Sequence, residues 1–244
     1  MDSRKLENVK YYCISLLSSA IIVSNLKKIR CQRDVLRENK IMQVTEQRYY
    51  SPEEYLALEE VADYKSEYID GEIYPMTGGS TNHNKIAGNF YAELNISFKK
   101  LDYEVYMGDV RLWIPKRRIY TYPDVMVVVG EPEYYNNRTD TITNPKVIVE
   151  VLSKSTQGYD KSEKFDYYRS IPTVEEYILI HQNKVYVEQF YKTGKKRWSF
   201  GEYDAEDEAI ALNSVPFQIS LTDVYNKVKF EEIEGEPEDN GKSD

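Results

Sequence analysis

The chain has 244 residues, 41% of them apolar and 23 of them tyrosine, which is a globular composition with room for one domain and a substantial core. Its formal net charge of -9 excludes a nucleic-acid binder held by overall positive charge, so contact with phosphate groups must use a local basic patch or a metal ion. Its two cysteines, Cys13 and Cys31, have no histidine or further cysteine at metal-ligand spacing. This excludes a disulfide framework and a cysteine-based zinc site, and it favours a reducing, cytoplasmic location.

Both ends of the chain differ in composition from the middle. Residues 11–26 are apolar, flanked by basic residues and slightly short for a membrane span, so residues 1–41 are interpreted as an N-terminal extension. A start-site artefact and a weak membrane segment are the two explanations for this extension, and membrane association is not expected. The last fourteen residues contain seven acids and one lysine, which predicts a disordered acidic tail over 231–244. The folded domain is therefore predicted to span residues 42–230.

Capping and turn signals locate the first elements of this domain. Ser51, followed by a proline and two acids, predicts a short helix over 52–60. The pair Asp70-Gly71 between two apolar runs predicts a β-hairpin. A second, amphipathic helix is predicted over 82–101 from the apolar residues Ile86, Phe90, Leu94, Ile96 and Phe98.

Strands dominate the rest of the domain. They are predicted at 104–107, 110–114, 124–129, 146–152, 176–181, 184–191 and 197–203. A helix with one apolar face is predicted over 159–170, and a last short helix begins near Ser220. This order predicts an α+β fold with a mixed central β-sheet flanked by helices.

Two carboxylates interrupt the most apolar of these strands. Asp124 lies in the stretch 122–129, and Glu150 lies in the stretch 146–152 with valine on either side. A charged carboxylate among buried β-branched residues is costly unless a cation, a proton or hydrogen bonds offset the cost. The pair therefore suggests a shared divalent metal ion, for which Mg²⁺ or Mn²⁺ is suited. The alternative is that each carboxylate stands at a strand end and faces solvent.

A proline-aspartate pair on one strand and a glutamate on the next resemble the PD-(D/E)XK nuclease superfamily. The usual Glu-x-Lys is interrupted here, because Leu152 stands where lysine is expected. The following residues, 153–168, resemble one branch, the putative restriction endonuclease domain family, in which a helix patterned D-x-x-x-K-x-x-x-Y carries the migrated lysine. By that match the lysine is Lys164, with Asp160 one turn before it and Tyr168 one turn after it. The resemblance covers residues 50–225.

This resemblance implies a restriction-endonuclease-like fold and metal-dependent hydrolysis of phosphodiester bonds in DNA, with Mg²⁺ or Mn²⁺ as cofactor. Asp124, Glu150 and Lys164 would be the catalytic residues. The metal ligands would be Asp124, Glu150 and Glu67, although Glu67 can also be read as a support for the ligands or as a charge at a hairpin edge. A homodimer is also implied.

Alternatives remain open at several positions. Lys164 can be read as a surface partner of Asp160, and Lys161, one turn earlier, competes with it as the catalytic lysine. His83 is read as a helix cap or a polar core residue.

Substrate contact has two candidates. Lys116, Arg117 and Arg118 are candidate DNA-binding residues, as are the basic residues 195–197, although lysine-rich hairpin ends commonly serve only solubility. The alternative function is a catalytically inactive nuclease-fold module that binds DNA or a protein partner, which Leu152 and the acidic composition favour.

Overall fold

The computed structural model describes residues 48–153 and 157–230. The predicted extension 1–41, with its apolar segment 11–26, and the predicted acidic tail 231–244 lie outside these residues. No helix in the described ranges is long and apolar enough to cross a bilayer.

The helices within the described ranges are few and mostly short. α1 is Pro52–Glu59, α2 is Thr81–Phe98 and α4 is Leu221–Val224, and a 3-10 turn covers Tyr135–Asn137. Helix α3 has three successive parts, which are the α-helical turn Gln157–Tyr159, the π-helical segment Asp160–Lys164 and the α-helical turn Phe165–Tyr168.

The strands form two large sheets and one small sheet. Their bounds are β1 Ser66–Ile69, β2 Glu72–Pro75, β3 Tyr103–Met107, β4 Arg111–Ile114, β5 Ile119–Thr121, β6 Val125–Val129, β7 Thr141–Ile142, β8 Val147–Leu152, β9 Glu176–His181, β10 Tyr186–Gly194, β11 Arg197–Asp204, β12 Ala209–Ala211 and β13 Gln218–Ser220. The five-stranded sheet has the order β2-β1-β5-β4-β7, the six-stranded sheet has the order β11-β10-β9-β8-β6-β3, and β12 pairs with β13. Both large sheets are mixed, since β4–β7 and β8–β9 are parallel and their other pairs are antiparallel.

Local sequence signals explain the first elements. The Ser51 side chain accepts a hydrogen bond from the Glu54 backbone, and the Glu54 side chain accepts one from the Ser51 backbone, so the predicted start of α1 is a complete capping box. Between β1 and β2, Asp70 and Gly71 both have positive φ, at 43° and 107°. That conformation favours glycine and is tolerated by aspartate, which is why this pair closes the predicted hairpin.

Strand β8 lies inside the six-stranded sheet and separates two hydrophobic cores. Val147, Val149 and Val151 pack on one side with the apolar face of α2, whose buried members are Ile86, Ala87, Phe90, Leu94 and Phe98. Ile148 and Leu152 pack on the other side with Tyr168 of α3. The predicted alternation of β8 is therefore confirmed. Ile96, which the predicted apolar set included, lies off the buried stripe of α2 and is 68% exposed.

Four short strands were not predicted. They are β5, β7, β12 and β13, and none exceeds three residues. Such segments are too short to display an alternating pattern, and their strand geometry depends on the neighbours with which they pair.

Glu176 at the start of β9 is fully buried, and its hydrogen bonds hold the segment that follows β12 against the sheet. Its carboxylate accepts hydrogen bonds from Gln189 Nε2 at 2.6 Å, from the Asn213 backbone N–H at 2.9 Å, and from both the backbone N–H and the hydroxyl of Ser214 at 2.9 and 2.6 Å. These donors satisfy a charge that would otherwise be costly to bury.

We expect Glu176→Ala to lower the free energy of unfolding by about 3 kcal/mol or more, because it leaves several buried donors without an acceptor. The adjacent Glu175→Ala is the matched control. It removes a partly exposed pair with Lys146 at 2.7 Å and should cost under about 1 kcal/mol. Urea denaturation of both variants measures the difference, and equal losses would contradict the anchoring role of Glu176.

Candidate active site

A cleft of about 330 Å³ lies where residues from both large sheets meet. Glu67 comes from β1 of the five-stranded sheet, and Glu150 comes from β8 of the six-stranded sheet. Asp124 precedes β6, while Asp160 and Lys164 come from α3. The remaining lining residues include the end of β2 and the loop that follows it, over 74–80, together with His83, Tyr122, Tyr159 and Gln182.

Glu150 and Lys164 are in direct contact in this cleft. The Lys164 ammonium donates to Glu150 Oε1 at 3.0 Å, and the Tyr168 hydroxyl donates to the same oxygen at 2.5 Å. Lys164 Nζ also lies 3.3 Å from Asp160 Oδ1 and 3.7 Å from Glu67 Oε1. Lys164 is buried, so its interpretation as a surface partner of Asp160 is wrong.

The two competing lysines lie in the π-helical segment of α3 and face different partners. In an α-helix, two residues three positions apart share a face, whereas a wider π-turn rotates less per residue and separates them. Lys161 accordingly contacts Glu188 of β10, with Nζ–Oε2 at 2.8 Å, outside the cleft. Of the two competing lysines, the structure brings only Lys164 to Glu150.

Asp124 is held by backbone and side-chain donors. The backbone N–H of Val151 donates to Asp124 Oδ2 at 2.7 Å, which joins Asp124 to the strand that carries Glu150. Nε2 of His83 lies 3.1 Å from the same oxygen. This hydrogen bond holds Asp124 against the residue that follows Glu150 on β8.

Glu67 also lines the cleft, and Thr121 Oγ1 of β5 donates to its Oε1. Leu152, at the usual lysine position, is buried in the core with Tyr168 and Ile171. The lysine from α3 therefore supplies the cation that β8 lacks.

Three residues in or beside the cleft were missed as participants in the predicted site. Asp160 is 3% exposed and lines the cleft, and His83 lines it beside Asp124. Tyr168 is fully buried behind the cleft and donates a hydrogen bond to Glu150. A signal for Asp160 and Tyr168 was present in the spacing of D-x-x-x-K-x-x-x-Y, which aligns its members on one helical face. No local signal linked His83 to Asp124, because that contact joins residues 41 positions apart.

The candidate DNA-binding residues Lys116, Arg117 and Arg118 lie outside this cleft. They form the exposed turn between β4 and β5 and line a groove of about 310 Å³ with Tyr167 of α3. Tyr167 in turn contacts Tyr159, with ring centroids 6.3 Å apart, and Tyr159 lines the cleft.

The second basic tip, residues 195–197, differs in its aromatic neighbour. Trp198 packs edge-on against Phe165 of α3, with ring centroids 5.3 Å apart. Phe165 packs against the core that contains Tyr168 and does not line the cleft. Trp113, near the first basic turn, is buried against Tyr120. Neither tryptophan is presented as a free stacking surface.

Residues 52–223 match the sequence model of the Uma2 family, described as putative restriction endonuclease. The chain belongs to the Uma2 family. It is 43% identical to uncharacterized protein sll1609 of Synechocystis over 160 residues, which are 66% of this chain and 90% of the relative. It is 34% identical to uncharacterized protein slr1290 of the same organism over 180 residues, which are 74% and 93% of the two chains.

A solved structure has a similar fold. The crystal structure of a putative nuclease belonging to DUF820 from Anabaena variabilis superposes with a TM-score of 0.60 at 17% identity, covering 72% of this chain and 97% of that one. At this identity the likeness concerns the fold. The predicted family and the restriction-endonuclease-like α+β fold are both confirmed.

Acidic side chains outnumber basic side chains in the cleft. Four carboxylates line it, and Lys164 is the one lysine or arginine among its described lining residues. Burial raises the pKa of Glu150, with smaller contributions from Asp124 and Asp160, while Lys164 and the Tyr168 hydroxyl oppose the shift. Burial lowers the pKa of Lys164, but Glu150, Tyr168, Glu67 and Asp160 outweigh burial and hold this pKa well above 10.5. Lys164 therefore stays charged at neutral pH.

The cleft offers a pair of carboxylates for a divalent cation and lacks a complete set of protein ligands. No group of three or more His, Cys, Asp or Glu side chains within residues 48–153 and 157–230 is assembled as a complete metal cage. Mg²⁺ is commonly held by only one or two carboxylates, with water and phosphate oxygens completing its shell. Asp124 and Glu150 supply such a pair. Asp160 Oδ1 is buried and accepts no hydrogen bond from the described residues, and its ion pair with Lys164, at 3.3 Å, is shared with Glu150 and Glu67.

We expect Lys164→Ala to lower the free energy of unfolding by about 3–5 kcal/mol in metal-free protein, because it leaves buried carboxylates without their cation. Arg169→Ala, at the C-cap of the same helix, is the control. It removes an exposed pair with Asp166 at 2.6 Å and should cost under about 1 kcal/mol. Chemical denaturation with EDTA present measures both changes, and a loss under 1 kcal/mol for Lys164→Ala would show that the lysine is not needed to bury its neighbours.

Proposed function

We propose that this Uma2 protein is a metal-dependent endonuclease that hydrolyses phosphodiester bonds in DNA. The observation that carries the proposal is the contact of Lys164 with Glu150, at 3.0 Å, in a cleft that also contains Asp124. Two carboxylates and a lysine in one cleft are a set of groups suited to metal-assisted phosphodiester hydrolysis. The family description and the name of the Anabaena structure support the same reaction class.

Asp124 and Glu150 would hold Mg²⁺ or Mn²⁺, with Glu67 as a further ligand or as a support for Lys164. When bound, such an ion lowers the pKa of a coordinated water and offsets the charge that develops on a phosphate. The Tyr168 hydroxyl fixes Glu150 Oε1, so the ligand is oriented before substrate arrives.

Lys164 acts as a fixed positive charge. Because its pKa is held well above the ordinary lysine value, it does not serve as a base at neutral pH. Its ammonium can donate to a non-bridging phosphate oxygen or orient the attacking water. A preorganised donor of this kind stabilises the charge of the transition state without reorganisation of solvent.

The basic turn Lys116–Arg118 is proposed to hold the DNA backbone. Its groove is shared with Tyr167, and the contact between Tyr167 and Tyr159 connects that groove to the cleft. A strand whose phosphates lie on this turn would pass the two tyrosines before it reaches Lys164. The net charge of -9 makes such a local patch necessary. A cytoplasmic location and a homodimer stay predictions from the cysteine content and the family resemblance.

We expect Asp124→Ala, Glu150→Ala and Lys164→Ala each to lower the rate of Mn²⁺-dependent cleavage of DNA by about a hundredfold or more, the scale for loss of a preorganised catalytic group. Lys164→Ala should still bind Mn²⁺, whereas the two carboxylate variants should bind it weakly. Lys161→Ala is the control, since Lys161 pairs with Glu188 outside the cleft. Plasmid cleavage and calorimetric titration with Mn²⁺ measure the two properties.

Two outcomes would contradict this assignment. Full cleavage by Lys164→Ala would remove the lysine from the mechanism. Binding of Mn²⁺ and duplex DNA by the wild type without any cleavage would favour the inactive binding module instead.

A separate prediction concerns the basic turn. We expect the double variant Lys116→Glu/Arg117→Glu to weaken duplex DNA binding at least about tenfold and to reduce the slope of log K against log salt by about 2, as for the loss of two phosphate contacts. Fluorescence anisotropy with EDTA present avoids cleavage during the measurement. The matched variant Lys195→Glu/Lys196→Glu at the other hairpin should bind nearly as well as the wild type. A larger loss in that control would move the DNA contact to the β10–β11 hairpin.

A further inference from the structure

We infer that His83 is a positioning residue, which immobilises one oxygen of Asp124 so that the other oxygen is presented to the cleft. The inference rests on the proposed function in one respect, since Asp124 is taken as a metal ligand. It concerns a residue that sequence reasoning assigned only to capping or to the core.

The contacts of Asp124 are one-sided. Both interactions that the described residues make with its carboxylate fall on Oδ2, where the Val151 N–H donates at 2.7 Å and His83 Nε2 lies at 3.1 Å. Since Oδ2 can only accept, Nε2 of His83 carries the proton in this contact. Two donors hold Oδ2 in place, and Oδ1, which accepts no hydrogen bond from the described residues, is left as the oxygen available for ligation.

His83 is itself held to the strand that it serves. Its backbone N–H donates to the N-cap Ser80 Oγ at 3.1 Å, in the first turn of α2. The Ser80 hydroxyl donates to Gln182 Oε1, and Gln182 Nε2 donates to the carbonyl of Leu152 at 2.9 Å. Leu152 follows Val151 on β8, so a single strand end anchors both donors of Asp124.

The loop before α2 is shaped around the imidazole. A Cβ placed on Gly79 would lie 3.0 Å from His83 Nδ1 and 3.2 Å from its Cγ, which is tighter than ordinary contact. The glycine therefore allows the ring to lie against the loop while Nε2 faces Asp124. Any side chain at position 79 should shift the ring.

Fixing a ligand oxygen in this way serves metal binding directly. Residues that hydrogen-bond to a metal ligand orient it, and their removal commonly weakens metal affinity by about 10–100-fold. An unrestrained aspartate would lose rotamer freedom on binding the ion. In this cleft that freedom is already removed by Val151 and His83.

The second histidine of the chain provides a matched control. His181 is buried, whereas His83 is partly buried, and it too lies near a carboxylate, with Nε2 3.8 Å from Glu188 Oε2. It does not belong to the described lining of the cleft. Its removal perturbs a comparable histidine without touching Asp124.

The test is the Mn²⁺ affinity of full-length variants by isothermal titration calorimetry, with thermal denaturation to verify folding. His83→Ala should bind Mn²⁺ about 10–100-fold more weakly than the wild type. His83→Gln, whose amide can donate to Oδ2, should recover most of that loss, and His181→Ala should bind like the wild type. Equal affinity of His83→Ala and the wild type, or equal losses in both histidine variants, would overturn the inference.

Gly79→Ala is an independent test, because its added methyl group should displace the His83 imidazole without removing it. Alone it should weaken Mn²⁺ binding, and in the His83→Ala background it should have little further effect, because the ring on which it acts is gone. Additive losses would overturn the inference. If the wild type binds Mn²⁺ but cleaves no DNA, the proposed function fails while these affinities still decide the role of His83. If the wild type does not bind Mn²⁺, both fail.

Discussion

The burial of Glu150 in the middle of a sheet is the constraint on which the rest of the site depends. A carboxylate at this depth requires a compensating charge, and the strand itself provides only apolar neighbours. Lys164 supplies that charge from α3, and Tyr168 supplies a hydroxyl from the next turn. The helix must therefore lie over this point of the sheet. The arrangement leaves the cleft with an excess of negative charge, which is the electrostatic condition that favours a divalent cation.

The position of Glu150 is fixed as firmly as its charge. On β8, the valines on either side of Glu150 face the core under α2, and a shift of one residue in register would send all of them to the wrong side. Because β8 pairs with β6 on one edge and β9 on the other, it cannot slide independently of the sheet. The hydrogen bond from Val151 to Asp124 transmits this rigidity to a residue that lies outside the strands. Two hydrophobic cores thus define where the polar groups meet.

Sequence reasoning succeeded where the governing physics is local. The capping box at Ser51, the turn at Asp70-Gly71 and the alternation around Glu150 each follow from neighbouring residues, and all three occur as expected. The proximity of Asp124, Glu150 and Lys164 was predicted through the family resemblance and is present in the fold. The metal and the catalytic roles stay predictions.

The remaining features depend on tertiary packing. Lys164 is buried beside Glu150 while Lys161 pairs with Glu188, and no residue type signals the π-helical segment that carries both lysines. The contact of His83 with Asp124 joins α2 to the start of β6 across the cleft, and strands such as β7 exist only because a partner strand is present. In each case the decisive neighbour is distant in sequence.

The migration of the lysine from strand to helix has a structural consequence of its own. A lysine at position 152 would lie on the face of Glu150 and would displace a leucine that fills the core with Tyr168 and Ile171. On α3, the lysine instead lies at helical spacing from Asp160 and Tyr168, so one helix supplies the cleft with a cation and a carboxylate and supplies Glu150 with a buried hydroxyl donor. A strand position would fix the ammonium relative to Glu150 through the backbone of β8. The helix position makes the ammonium depend on the packing of α3, which rests on Phe165 and Tyr177 through aromatic contact. Substitutions in that aromatic contact are therefore expected to reach the site through the position of Lys164, even though they lie outside the cleft.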